Sequence, residues 1–177
     1  MRSDLFPELD KKTYIMGIIN LTPDSFSGDG LLNQTEVETA ALEQALRFVS
    51  DGADVLDIGA ESTRPGSRKL DTSEELERLL PALTLIRNEL PDVLISVDTY
   101  KAETARACLG HGADIVNDVW GFQYDSEMAA AVTEFGATAV LMHNREIGAR
   151  PVSSELGGRY EDVEYEDIVS EVCSWLA

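Results

Sequence analysis

Polar side chains recur at the ends of short apolar runs in this chain. Asn20 closes YIMGIIN, Asp57 lies in VLDIG with Glu61 just beyond, and Asp98 falls near the end of VLISVDT. Asn117 lies in DIVNDV, and Met142 and His143 close TAVLMH. An amide carries both donors and an acceptor, whereas an ionised carboxylate only accepts. A carboxylate and an amide on neighbouring strands, such as Asp98 and Asn117, can therefore grip the donor-and-acceptor edge of a nitrogen heterocycle. Asn20 can hold a phosphate oxygen or ligate a hard cation. Met142 suits an apolar wall under a flat ring, or plain core. Any one Asp or Asn at a strand end can also be a helix cap or an Asx-turn. Asp118 fits that role, capping the turn after it.

Two polar loops add to these residues. TPDSFSGDG has Pro23 fixing a turn, Gly28 and Gly30 loosening the stretch beyond it, and Phe26 inside the segment. An aromatic there can close over a flat substrate or anchor the loop. GAESTRPGSRK carries Ser62, Thr63, Arg64 and Arg68, the arginines being rare positive charges among many carboxylates. The arginine fork matches phosphate oxygens, and it matches neighbouring carboxylates as well. His143 and His111 do not share a metal-ligand spacing, so a transition-metal centre is not indicated. There is no nucleophile–base pair, CxxC or GxGxxG pattern.

The elements that must position these residues repeat. Strands are expected at 14–20, 55–59, 93–99, 114–119 and 138–143. Helical periodicity comes after each. Val37, Ala41, Ala45, Phe48 and Val49 share a face over 35–50, and Leu76, Leu79, Leu80, Leu83 and Ile86 share one over 73–90. Ala102, Ala105 and Cys108 mark a short helix, Met128, Val132 and Phe135 another, and Ile168, Val172, Trp175 and Leu176 the last. The strands are apolar without strict alternation, as in parallel sheets buried on both faces. Gly52, Gly112 and Gly136 fall where left-handed helix ends belong. This is a βα repeat of the α/β class, either an open doubly wound sheet or part of a (β/α)₈ barrel. In both, ligands bind at the C-terminal ends of the strands, where the polar residues gather. A tail over 1–13 precedes a single domain over 14–177.

The chain has 177 residues and a net charge of −19, from 14 Lys and Arg against 33 Asp and Glu. That balance repels nucleic acid and anionic membrane surfaces. A small anionic ligand is still compatible, because local donors and a metal can outweigh a distant field. Two cysteines, Cys108 and Cys173, do not make a disulfide framework. The N-terminus lacks an apolar signal segment, and no run is long enough to span a bilayer. A cytoplasmic protein is expected.

The segments IMGIINLTPDSFSGDG, DIGAESTRPGS, SVDT, IVNDV and LMH together resemble the dihydropteroate synthases of folate biosynthesis, in order and spacing. The likeness runs from Tyr14 to about His143 and more loosely to the end. It implies a (β/α)₈ TIM barrel of which this chain supplies about the first five βα units. It also implies condensation of 6-hydroxymethyl-7,8-dihydropterin diphosphate with 4-aminobenzoate, with Mg2+ and loss of diphosphate. On the matching positions, Asn20 would bind Mg2+ and diphosphate oxygens. Asp98 and Asn117 would hold the pterin, with Met142 lining its pocket and Asp57 assisting. Thr63 and Arg64 would contact diphosphate, and Phe26, Thr63 and Pro65 would form the 4-aminobenzoate pocket. Diphosphate would leave early and the aryl amine would attack a stabilised pterin cation, with Asn20, Arg64 and Asp98 closest to the chemistry. The resemblance also implies a homodimer for a full-length member.

The chain departs from the family pattern in three ways. It has SFSGDG where SFSDGG is usual, which moves an acidic residue from position 28 to Asp29. Ala60 stands where Gly is usual. The residues the family carries on strands six to eight are not in this sequence. Two other functions compete with the synthase reading. One is the pterin-binding domain of a corrinoid methyltransferase, against which the TPDSF and STRPGS loops argue. The other is a truncated remnant or fragment without turnover.

Overall fold

The computed structural model of the chain describes residues 5–8, 10–22, 34–61, 69–144 and 166–177. Strands and helices alternate. β1 is Met16–Asn20, α1 Gln34–Ser50, β2 Val55–Gly59, α2 Thr72–Glu89 and β3 Leu94–Asp98. Then come α3 Ala102–Gly110, β4 Ile115–Asp118, α4 Met128–Phe135, β5 Thr138–Leu141 and α5 Ile168–Leu176.

All strand pairs are parallel, and the strand order β1-β2-β3-β4-β5 is that of the chain. A doubly wound sheet reverses its order at a switch point. This sheet does not reverse, so it is the wall of a barrel. Composition leaves that choice open, and the strand order decides it. β2 coincides with its expected span, and the other four strands run two residues shorter than theirs. Tyr14 and Ile15 precede β1, although the Ile15 carbonyl still accepts from the Asp54 and Val55 amides. Met142 and His143 come after β5.

Side chains alternate between the two faces of each strand. Ile19, Leu56, Ile58, Ile95, Val97 and Val116 face the helices and are essentially closed to solvent. They meet Ala41 and Ala45 of α1, Leu79, Leu83 and Ile86 of α2, Ala105 and Cys108 of α3, and Met128 and Ala131 of α4. Small residues on the helix faces let the backbones approach closely. Gly17 does the same from the strand side: a Cβ there would sit 2.6 Å from Phe48 Cδ2. Gly52, Gly112 and Gly136 take φ of 100°, 100° and 59°, the left-handed turn that ends each preceding helix.

Helix ends are secured by side chains. Asp71 and Glu74 form a reciprocal capping box at the start of α2. At its end, Arg87 donates to the Gly112 carbonyl (2.8 Å), the Val93 carbonyl (2.8 Å) and Asp114 Oδ2 (2.7 Å). One guanidinium thus ties α2 to the starts of β3 and β4.

Two expected core faces are not buried. Phe135, on the stripe with Met128 and Val132, is 43% exposed, and Ala131 fills the buried position instead. The short helix has ended its packed face one turn earlier. No residue of α5 is buried, although Trp175 sets its ring edge against His143 at 5.0 Å. Its apolar periodicity is real, but only part of that face is covered among the described residues: Trp175 lies against His143 and Gly121, while Ile168 and Leu176 stay exposed.

Candidate functional site at the strand ends

The register aligns the candidate residues. Asn20 pairs with Gly59, Gly59 with Asp98, Asp98 with Asn117, and Asn117 with Val140. Residues level with one another in a parallel sheet project to the same side, so this row forms one rim on the face away from the helices. One layer below lie Ile18, Asp57, Ser96, Ile115 and Thr138. The expectation is that Asn20, Arg64, Asp98, Asn117 and Met142 share one mouth; the register sets Asn20, Asp98 and Asn117 level on one rim, Met142 follows β5, and Arg64 lies outside the described residues.

A hydrogen bond shows the curvature of that face. Asn117 Nδ2 on β4 donates to Asp57 Oδ2 on β2 at 3.1 Å, across the intervening β3. Adjacent strands lie about 4.8 Å apart, so side chains two strands away meet only where the face is concave. Asp57 is 4% exposed, and its Oδ1 has no partner among the described residues. Ser96, its register neighbour, is fully buried, and its hydroxyl is likewise unpartnered among them.

Asp98 leans toward β2. A Cβ on Gly59 would lie 3.3 Å from Asp98 Cβ and 3.5 Å from its Oδ2, so the missing side chain at 59 leaves the space the carboxylate uses. Burial is the main reason the Asp98 carboxyl is pushed up to about 7, and repulsion from Asp57, Glu75, Asp118 and Glu61 adds to it. Near neutrality this group can hold or release a proton.

Asn20 stands exposed at the end of β1. Met142, just past β5, is 45% exposed and so is not core, and its amide donates to the Asp118 carbonyl at 3.2 Å. Asp118 is a cap, as its sequence context suggests. Its carboxylate accepts from the Trp120 (2.8 Å) and Phe122 (3.0 Å) amides and holds a turn in which Phe122 has φ of 67°. Phe26, Thr63, Arg64 and Pro65, with Gly28, Asp29 and Arg68, lie outside the described residues.

Sequence reasoning missed the charged layer behind the rim. Glu75 is 1% exposed in α2 and accepts from Thr99 Oγ1 (3.0 Å), Thr104 Oγ1 (2.7 Å) and Lys101 Nζ (3.1 Å). Lys101 also donates to Glu61 Oε2 at 2.7 Å, and Tyr100 donates to Glu61 Oε1 at 2.5 Å. Glu61, first grouped with the rim, belongs to this network. Its carboxylate sits below its usual range: burial opposes ionisation, but the bonds from Lys101 and Tyr100 outweigh it. The signal for Glu75 was available. It stands four residues before Leu79 and seven before Ala82, on the buried face of α2.

A concave rim of two amides and one carboxylate, with a second carboxylate one layer below, stands at the strand ends of a parallel α/β wall, the place where proteins of this class hold their ligands. The sequence profile of the pterin binding enzyme family matches residues 16–177, and the chain belongs to that family. Within it, the chain is 43% identical over 92% of its length to a dihydropteroate synthase of Streptococcus pyogenes serotype M1, and covers 54% of that protein. The dihydropteroate synthase from Clostridium difficile, solved in the presence of pteroic acid, superposes with a TM-score of 0.79 at 39% identity, over 94% of this chain and 56% of the other. The Xanthomonas albilineans enzyme with 4-aminobenzoic acid gives 0.75 at 36% identity, over 94% and 54%. The chain thus spans about half the length of the relatives it matches.

Proposed function

We propose that the chain carries the pterin-holding half of a dihydropteroate synthase site. The observation that carries this reading is the row Asn20–Gly59–Asp98–Asn117 with Asp57 bonded beneath it. The substrates are 6-hydroxymethyl-7,8-dihydropterin diphosphate and 4-aminobenzoate. The C–O bond to diphosphate breaks, the aryl amine nitrogen bonds to the methylene carbon, and the amine loses a proton. Asp98 and Asn117 accept and orient the heterocycle's N–H edge, Asp57 supports Asn117, and Met142 lines the ring. Arg64 and Thr63 contact diphosphate, and Phe26, Thr63 and Pro65 the aminobenzoate.

Mg2+ is the cofactor of this reading. The Asn20 amide oxygen is a hard donor at an exposed strand end and suits a metal that keeps waters and phosphate oxygens in its shell. Among the described residues no group of three or more His, Cys, Asp or Glu could enclose a metal, which fits a shared rather than caged ion. When bound, the metal neutralises charge on the leaving group.

The setting is cytoplasmic and the full-length arrangement a homodimer. A net charge of −19 argues against nucleic-acid partners. Among the described residues no helix is long and apolar enough to cross a membrane. Calorimetric titration with the pterin diphosphate, with and without Mg2+, tests the reading. Saturable binding that is lost in Asp98→Ala is the expected result, and no heat of binding with either protein would overturn it. Diphosphate release on adding 4-aminobenzoate separates a synthase from a pterin-binding remnant.

A further inference from the structure

The connection from β2 to α2 leaves and rejoins the described residues at one carboxylate. Glu61 stands at its outgoing end, and Lys69 and Leu70 at its returning end. Glu61 Oε2 accepts from the Leu70 amide at 3.1 Å, so a side chain on the way out holds the backbone nine positions later. The chain on either side of this bond is already firm. Ala60 is 1% exposed and its carbonyl accepts from Arg78 Nη1 at 3.4 Å, while Asp71 caps α2. The Glu61–Leu70 bond carries that firmness outward to the two ends of 62–69.

Two further donors hold the same carboxylate, and both come from the connection that follows Asp98. They are Lys101 Nζ at 2.7 Å and the Tyr100 hydroxyl at 2.5 Å. Lys101 is shared with the buried Glu75 at 3.1 Å, which also accepts from Thr99 Oγ1 at 3.0 Å. The Glu61 side chain is 9% exposed, so water competes little for these bonds. On the returning side, Lys69 Nζ lies 5.2 Å from the centre of the Tyr124 ring, whose neighbour at 4.5 Å is Tyr100. Lys101 and Glu75 alone would make a buried ion pair. A bond to a backbone amide across the base of a connection is a feature that such a pair does not need.

We propose that Glu61 is a positioning residue for the diphosphate half of the site, its carboxylate tying both ends of 62–69 to each other and to the connection after Asp98. For its consequence the proposal rests on the synthase reading, in which Thr63 and Arg64 contact diphosphate. Residues held before the ligand arrives have less backbone freedom left to lose on binding. The tie also occupies Glu61. A carboxylate already engaged by Lys101, Tyr100 and the Leu70 amide competes less with diphosphate for a nearby guanidinium. Glu61 therefore favours ligands that carry a diphosphate and has little effect on the pterin ring alone.

The test has one arm without ligand and one with it. In ¹⁵N-labelled, unliganded protein, the Leu70 amide exchanges with solvent about tenfold faster in Glu61→Ala than in the wild type. Glu61→Gln keeps an oxygen that can accept from this amide and restores most of the protection. Equal exchange in the wild type and Glu61→Ala, or no restoration in Glu61→Gln, overturns the tie. Should Glu61→Ala fail to fold by circular dichroism, Tyr100→Phe takes its place. That variant removes one donor to Glu61 and keeps the ring, and it gives about threefold in both arms.

In the second arm, 6-hydroxymethyl-7,8-dihydropterin and its diphosphate are titrated, with Mg2+, into each protein. The wild type prefers the diphosphate, and Glu61→Ala loses about tenfold of that preference. Its affinity for the pterin without diphosphate stays within about twofold of the wild type. An unchanged preference, or an equal loss of affinity for both ligands, overturns the positioning role, the second because it marks a purely structural one. A wild type that binds the pterin without preferring its diphosphate overturns the diphosphate contacts and the positioning role together. One that binds neither compound overturns the synthase reading, while the exchange arm still decides the tie.

Discussion

Replacing Asp98 by Asn should stabilise the fold at alkaline pH while removing pterin binding. The Asp98 carboxyl titrates at about 7 in the folded chain against 3.8 when unperturbed, chiefly through burial and then through Asp57. Its folded value is raised, so the folded state binds more protons than the unfolded state between these two values. Stability therefore falls as pH rises through that window. A shift of about three units corresponds to about 4 kcal/mol, and partial solvent screening of the rim trims this to ~3 kcal/mol. At pH 8 the Asp98→Asn variant should exceed the wild type by up to that amount. At pH 4, close to the unperturbed value, the difference should approach zero. Urea unfolding of both proteins at pH 4, 6 and 8 reads the difference directly. A variant no more stable than wild type at pH 8, or a gap that does not change with pH, would refute the claim that Asp98 is held out of its ordinary range. Ligand binding should titrate with the same group. If the ionised form accepts the N–H edge, wild-type affinity for pterin weakens about tenfold per unit below pH 7 and levels off above it.

Other substitutions probe the groups around Asp98 and the far end of the sheet. Gly59→Ala places a Cβ 3.3 Å from Asp98 Cβ; it should lower stability by about 1 kcal/mol and weaken pterin binding about tenfold by displacing the carboxylate, and an unchanged dissociation constant would contradict this. Lys101→Met strips the cation from Glu61 and Glu75 and should destabilise by about 3–5 kcal/mol in urea unfolding. Adding Glu75→Gln should restore part of that loss, and no recovery would show that the pair is not the cause. Arg87→Leu leaves Asp114 and the Gly112 and Val93 carbonyls without this donor. It should lower stability by about 3 kcal/mol in urea unfolding with pterin affinity intact, since Arg87 lies at the opposite end of the sheet.

The fold class and the rim were legible because both depend on short-range text. Apolar runs ending in Asn20, Asp98 and Asn117 signal parallel strands and also set which residues stand level at their ends. Strand order is a long-range property, and nothing local in the text distinguishes a barrel wall from a doubly wound sheet. The buried Glu75 was overlooked because a single carboxylate on an amphipathic helix reads as surface, although its spacing to Leu79 and Ala82 sets it on the buried face. Only its partners Lys101, Thr99 and Thr104, from a distant segment, make its burial tolerable. Phe135 misled for the opposite reason. Its spacing was right, but α4 ends at that residue, and periodicity does not reveal where a neighbour stops.

The position of Gly59 links these observations. At most sites in a buried strand a glycine weakens the sheet. Here it lies between Asn20 and Asp98 in the row that carries two amides and one carboxylate, and it makes room for the carboxyl pushed up to about 7. A larger residue would crowd Asp98, its Cβ lying 3.3 Å from the Asp98 Cβ, and displace the carboxylate from its place in the row. The fold thus gives up packing at position 59 and tolerates repulsion between Asp57 and Asp98. In return, acceptor groups are held in a fixed row before any ligand arrives, as a site that must orient a flat heterocycle requires.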